Sequence, residues 1–326
     1  MTPLVVVLGA AGFIGSAIVQ ELADQDLRIR AVSRRPTAVP PHARTRIEVR
    51  TADLTEPGAM AAAVTGADVV IHSIAYIAAS TTWRLADGDT EAERINVGLL
   101  RDLITVLDDG RRSPTSVLFT GSVSAAGPSA HGDVYDGTET DRPQGEYDRQ
   151  KLAAEQLLLE ASRAGVLRGV SLRLPTVFGH VPDSPTRDKG IVSAMVRRAA
   201  AGEPITMWHD GTVRRDLLHV RDAARAFTAG IGHMDALVDQ HWVLGTGRGE
   251  PLGEVFSTVA SLVAQQLGKP PVPVLSVEPP AHAEVRDFRS VTVDASAFRT
   301  ATGWRPETTL EEALRDTVAF HTRSQV

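Results

Sequence analysis

The sequence predicts an α/β protein: a doubly wound parallel sheet carrying a smaller C-terminal α/β cap that binds substrate. Three observations predict it. Short β-branched runs without clean polar alternation recur along the first half, at Leu4–Leu8, Leu27–Val32, Ile47–Arg50, Val69–Ile71, Ser116–Phe119 and Gly169–Leu172. Strands covered on both faces of a parallel sheet read this way. Helical stretches separate them, at Phe13–Ala23, Pro57–Val64, Glu91–Leu107 and Gly145–Arg163, and such alternation implies βαβ units. A glycine-rich turn, Gly9-Ala10-Ala11-Gly12-Phe13-Ile14-Gly15, joins the first strand to the first helix.

The second half is less regular. Gly190–Ala201, Val220–Ile231, Gly253–Leu267 and Thr309–Phe320 have helical patterns, and the proline-rich Lys269–Pro280 reads as an extended connection. A chain of 326 residues suits about two lobes. The expected division gives residues 1–175 and 213–245 to the sheet lobe, and 176–212 and 246–326 to the cap. A net charge of −6 argues against nucleic acid or an anionic membrane as partner. The absence of cysteine excludes a disulfide framework, a thiolate zinc site and a cysteine nucleophile, and no metal is expected. The N-terminus lacks a basic leader and no stretch reaches the length of a membrane span, so a cytoplasmic protein is expected.

The glycine turn is suited to a dinucleotide. Gly9 and Gly12 permit a tight turn, so that backbone around Ala11, Phe13 and Ile14 can approach a pyrophosphate at the helix N-terminus. An acid at the end of the second strand would favour NAD by accepting from the ribose 2′-OH. The strand instead ends Ser33-Arg34-Arg35, a hydroxyl and two guanidiniums suited to a 2′-phosphate. The expected cofactor is therefore NADPH. Asp53-Leu54 after the third strand suits the adenine edge, and Ser73-Ile74-Ala75 after the fourth would line the cofactor with backbone. His72 reads as a packed strand-end histidine.

Tyr147-Asp148-Arg149-Gln150-Lys151 carries the chemistry. A tyrosine and a lysine four apart share one helix face. A nearby ammonium lowers a phenol's pKa, so that Tyr147 can give a proton to a carbonyl oxygen while hydride reaches the carbon. Ser122, just after the strand Ser116–Phe119, would point into the ligand crevice and hydrogen-bond that carbonyl; Thr120 and Ser124 are competing hydroxyls. Asn96, on the helix after the fourth strand, could position backbone or a water nearby.

Glycine turn, Ser122 and the Tyr147/Lys151 pair together resemble the extended short-chain dehydrogenase/reductases, the nucleotide-sugar epimerase, dehydratase and reductase family with a Rossmann sheet. The segments Arg173–Gly179, Gly211–Val220 and Thr302–Pro306 match it too. The sequence is most similar to the nucleotide-linked 4-keto-6-deoxyhexose 4-ketoreductases of deoxysugar pathways for glycosylated antibiotics, through Met207–Gly211, Arg214-Arg215-Asp216 and Asp287–Ser290. The resemblance implies cofactor contacts at Pro175 and Val177, and substrate contacts at Ser124, Thr176 and Trp208. It also implies that Arg215 holds the nucleotide diphosphate with Arg286 or Arg289, and that a dTDP-sugar is the substrate. A homodimer through the two long helices fits the family, although their apolar faces are equally explained by packing on the sheet. Where family dehydratases carry Asp-Glu after the catalytic hydroxyl, this sequence has Val123-Ser124, which leaves reduction as the natural outcome. The rivals are a 4-epimerase that retains NAD and a non-catalytic NADP-binding regulator.

Overall fold

Residues Leu4–Leu8 (β1) are apolar at every position and buried throughout, because helices cover both faces of the sheet they enter. The computed structural model describes residues 2–76, 85–110, 113–129, 132–184, 186, 188–281 and 283–323, without the side chain of Arg286. After β1 come α1 (Phe13–Leu22), β2 (Arg28–Ser33), β3 (Arg46–Thr51), α2 (Ala59–Val64) and β4 (Val69–His72). A short α3 (Thr90–Glu93) passes through a π turn at Arg94–Gly98 into α4 (Leu99–Leu107). Next are β5 (Ser116–Ser122), a 3-10 turn at Val123–Ala126, β6 (Val134–Tyr135), α5 (Glu146–Arg163), β7 (Arg168–Leu174) and β8 (Thr176–Phe178). The chain continues through α6 (Ile191–Ala200), β9 (Ile205–Met207), β10 (Arg214–His219), α7 (Val220–Gly232), α8 (Met234–Leu237) and β11 (Gln240–Val243). It ends with β12 (Gly249–Pro251), α9 (Leu252–Leu267), β13 (Val274–Ser276), β14 (Thr292–Val293), α10 (Ser296–Thr302) and α11 (Leu310–Thr322).

The main sheet has seven strands in the order β3-β2-β1-β4-β5-β7-β11, all parallel. The connections run one way from β1 to β3 and the other way from β4 onward. The switch point between β1 and β4 opens a crevice at the strands' C-terminal ends, where such sheets bind ligands. One core joins α1 and α7 to one face of the sheet, and a second joins α2, α4 and α5 to the other. The apolar faces of α4 and α5 are thus buried on the sheet. A third core lies among α6, α9, α11 and the strands beside them. Phe298 of α10 and Trp304 pack into the first core.

Several details differ from the sequence expectation, among them an interruption of the expected helix Glu91–Leu107 by the π turn. β5 runs on to Ser122, so this serine ends the strand. A seventh strand, β11, was not anticipated because Gln240-His241-Trp242-Val243 is half polar, as an edge strand permits. The connection Lys269–Pro280 contains β13, which pairs in parallel with β9.

Candidate active site

At the end of β1 the chain turns at Gly9 with φ +86°, and a Cβ there would lie 2.9 Å from the Ser73 carbonyl oxygen. A Cβ on Gly15 would come within 2.2 Å of the Gly9 carbonyl oxygen, so α1 sits as close to the turn as glycine allows. Gly12 precedes the helix without a side-chain cap. The first-turn N–H groups, including those of Phe13 and Ile14, are the donor set a pyrophosphate takes. Ser73 closes the turn from β4: its N–H and its hydroxyl donate to the Leu8 carbonyl at 2.9 and 2.8 Å. Ile74 and Ala75 follow, half-buried.

Ser33, at the end of β2, donates its hydroxyl to the Arg35 carbonyl (2.6 Å) and accepts from the Ala11 N–H (3.3 Å). Arg30 and Arg50 both pair with Glu48. Arg34 and Arg35 are exposed and make no ion pair among the described residues. At the exit of β3 the Asp53 carboxylate accepts from the Thr55 N–H and hydroxyl at 2.9 and 2.7 Å, which hold its pKa below the usual range. Leu54 is buried beside it. These residues fit a dinucleotide: a glycine cradle, an open helix start, and two exposed cations after β2 that make no ion pair among the described residues.

The chemical groups lie where α5 packs on β5 and its following turn. Lys151 is 2% exposed. Its Nζ donates to the Thr120 carbonyl at 2.6 Å and stands 4.5 Å from the centre of the Phe119 ring. Burial lowers its pKa to about 8, with Glu155 opposing the shift. Burial also raises the Tyr147 pKa above its ordinary value, and Asp148 adds to the rise. The lowering of Tyr147 expected from the sequence is therefore not a property of the protein alone. Desolvation sets the direction, and the Lys151 ammonium has its hydrogen bond with the Thr120 carbonyl. Ser122 and Ser124 share a hydroxyl–hydroxyl hydrogen bond of 2.8 Å, and the Ser124 N–H donates to Ser122 Oγ at 3.3 Å. Thr120 contributes its carbonyl, while its hydroxyl is buried without a partner. His72 is wholly buried against Phe119, and burial lowers its pKa to about 3, so it is neutral at neutral pH.

Asn96 lies buried in the π turn, an irregularity common at functional sites. It accepts from the Tyr76 N–H and donates to Gln150 Oε1, both at 2.8 Å. Gln150 Nε2 in turn donates to Glu146 Oε1 at 2.8 Å. This chain ties the segment after β4 to the helix that carries Tyr147 and Lys151. Nothing local in the sequence singles out Gln150, because its partner lies 54 residues away.

Arg215 on β10 pairs with neither neighbouring carboxylate. Asp216 is taken by the N–H groups of Thr246 and Val293, and Asp222 by Arg225. Arg215 NH1 donates to the carbonyls of Arg214 and Arg289, and NH2 donates to that of Asp287 at 2.9 Å. Its guanidinium therefore splints the segment before β14, and Arg289 from that segment reaches Gln144, just ahead of α5. The Arg286 side chain lies outside the described residues. Pro175, between β7 and β8, and Thr176 and Val177 of β8 are half-buried, and Trp208 is half-buried after β9. Among the described residues no group of three histidines or carboxylates could hold a metal, and no helix is long and apolar enough to cross a membrane.

Residues 5–245 match the NAD dependent epimerase/dehydratase family. The chain is 28% identical over 317 residues to the dTDP-6-deoxy-L-talose 4-dehydrogenase (NAD(P)(+)) of Kitasatospora kifunensis, covering 96% of this chain and 93% of that protein. It is 25% identical over 352 residues to the dTDP-L-rhamnose 4-epimerase of Burkholderia thailandensis, covering 95% and 92%. Among solved structures, MoeE5 in complex with UDP-glucose and NAD superposes with a TM-score of 0.80 at 29% identity, over 99% of both chains. A cofactor-bound RMD from Pseudomonas aeruginosa, complexed with NADPH, shares the fold with a TM-score of 0.76 at 20% identity. With this sheet, this glycine turn and the Ser122, Tyr147 and Lys151 arrangement, the protein is an extended short-chain dehydrogenase/reductase. It belongs to the NAD-dependent epimerase/dehydratase family.

Proposed function

We propose that the protein is a cytoplasmic NADPH-dependent reductase acting on the C4 ketone of a dTDP-linked 4-keto-6-deoxyhexose, in the making of a deoxysugar for a glycosylated natural product. The observation that carries it is Tyr147 and Lys151 on one face of α5, against the strand that ends in Ser122. The relative from Kitasatospora kifunensis supports the sugar class by its name. The unpaired Arg34 and Arg35 beside Ser33 support the phosphorylated cofactor. Val123-Ser124 in place of an acidic pair supports reduction over dehydration.

The cofactor would rest on the glycine turn and supply hydride to the keto carbon. Tyr147 gives its proton to the carbonyl oxygen as that oxygen gains charge, so the product is the alcohol and the phenolate is left behind. Lys151, anchored on the Thr120 carbonyl, holds positive charge within one helical turn of that phenolate. Ser122 donates to the same carbonyl oxygen and releases its shared bond with Ser124 to do so. Residues 176–212 and 246–326 supply the substrate side, except that Phe298 and Trp304 pack into the core of the main sheet, and the remainder forms the cofactor side.

The test is loss of reduced-nicotinamide absorbance with NADPH and, separately, NADH in the presence of a dTDP-4-keto-6-deoxyhexose. Consumption of NADPH in preference to NADH is the expected result. Interconversion of sugar isomers without net consumption would make the protein an epimerase. Tyr147→Phe should lose turnover by about a hundredfold or more while keeping NADPH affinity.

A further inference from the structure

The segment from Gly132 to Gln144 leads from the Ser122 turn into the catalytic helix, and the fold fastens it at separate points. β6 pairs with β14. Gly137 offers its carbonyl to His241 Nε2 at 3.0 Å. The third point is a buried charge cluster. Arg173, at the end of β7, is 1% exposed. Its NH1 and NH2 donate to the two oxygens of Asp141 at 2.8 and 2.9 Å. Its Nε donates to both oxygens of Glu155 at 3.1 and 3.0 Å. Glu155 also accepts from the Ser171 hydroxyl at 2.6 Å. Glu155 stands one turn beyond Lys151 on α5, and Lys151 one turn beyond Tyr147. One guanidinium therefore joins the segment ahead of the helix to the helix itself.

We propose that Arg173 is a positioning residue, holding Asp141 of the segment and Glu155 of the catalytic helix in one register, so that the substrate side of the site is set against Tyr147 and Lys151 before substrate arrives. Buried ion pairs contribute little net stability, since desolvation offsets their attraction, but they fix geometry when every donor is matched. All three guanidinium nitrogens of Arg173 donate to a carboxylate, in a planar fork that a lysine cannot reproduce. The same arrangement occupies both Glu155 oxygens, which leaves the Lys151 ammonium on the Thr120 carbonyl. Asp141 is the more exposed partner, with 24% of its side chain accessible, so it can be altered without stranding a charge in the core.

The inference rests on the reading of the site as a carbonyl reductase, and two readouts separate the two. Asp141→Asn keeps the size of the side chain but offers one acceptor to two N–H groups. Its expected effect is a KM for the keto sugar nucleotide raised about tenfold, with kcat within about twofold and NADPH affinity unchanged. Without any ligand, amide hydrogen exchange over residues 132–144 should quicken about tenfold while α5 is unaffected. Arg173→Lys should show the same split with a greater loss of thermal stability. Unchanged exchange in Asp141→Asn overturns the proposal. So does quicker exchange with an unchanged KM, or an equal loss of kcat and cofactor affinity. If the wild-type protein turns over no keto sugar, the functional reading fails, and the exchange measurement alone decides whether Arg173 sets the register.

Discussion

Ser33 ends β2 with its hydroxyl already engaged, donating to the Arg35 carbonyl and accepting from the Ala11 N–H. It therefore shapes the turn that presents Arg34 and Arg35, and most of any discrimination for a 2′-phosphate falls to those two guanidiniums. Both are exposed, so in the free protein their charge is screened and costs little. A bound phosphate would give each a charge-assisted hydrogen bond, worth about 1.5–3 kcal/mol. Removing both in Arg34→Ala/Arg35→Ala should weaken NADPH binding by about a hundredfold or more and leave NADH binding within about threefold, as read by titration calorimetry. Equal weakening of the two cofactors would show that the arginines serve the turn and not the phosphate. The opposite logic holds at Lys151, where burial is the point: a cation whose pKa is brought down to about 8 responds to charge developing on its neighbour.

At the scale of elements, α1 is seated by a missing side chain. An ideal Cβ on Gly15 would meet the Gly9 carbonyl oxygen at 2.2 Å, and that oxygen is backbone in a tight turn, which cannot swing aside. Gly15→Ala should push α1 away from β1 and open the pyrophosphate cradle. Overpacking of this kind costs about 1–3 kcal/mol, so Tm should fall by several degrees and NADPH affinity by about tenfold or more; full affinity in this variant would mean that the cradle adjusts freely. Elements of this kind were legible in the sequence because their signals are local. Six of the seven sheet strands are marked by short stretches that contain apolar or β-branched residues, and the glycine turn and the Tyr147/Lys151 spacing each lie within one turn or two. What was not legible depends on partners far apart along the chain. β11 is half polar and is made a strand by β7 beside it. Gln150 matters through Asn96, and Arg173 through Asp141 and Glu155. The main-chain carbonyls that Arg215 holds at Asp287 and Arg289 lie over 70 residues away.

At the scale of the whole molecule, β10 pairs with β8 on one side and β12 on the other, and a neutral histidine lies at the seam with β8. His219 is 3% exposed, edge-on to Phe178, with neither ring nitrogen hydrogen-bonded. Burial lowers its pKa to about 4, with Arg221 assisting; His72 in the sheet is lowered to about 3. Both values lie below the 6.5 of an unfolded histidine. Below that pH the unfolded chain binds protons that the native protein does not, so stability is full above pH 6.5 and is lost as pH falls toward the native values. At pH 5 each of the two histidines withdraws about 2 kcal/mol relative to neutral pH. Asp188 and Asp216, whose pKa values burial raises, act in the opposite sense, which is why a difference between variants is the right measurement. An unfolding entropy near 2.1 cal/mol/K per residue puts the share of His219 at about 3 °C of Tm between pH 7 and pH 5. His219→Phe keeps a ring in the seam and removes two unpaired nitrogens. Its Tm at pH 7 should match or exceed that of the wild type, and its fall on acidification to pH 5 should be smaller by about 3 °C. An identical fall in the two proteins would mean that His219 is protonated in the folded state, and that the seam opens to water well before the protein unfolds.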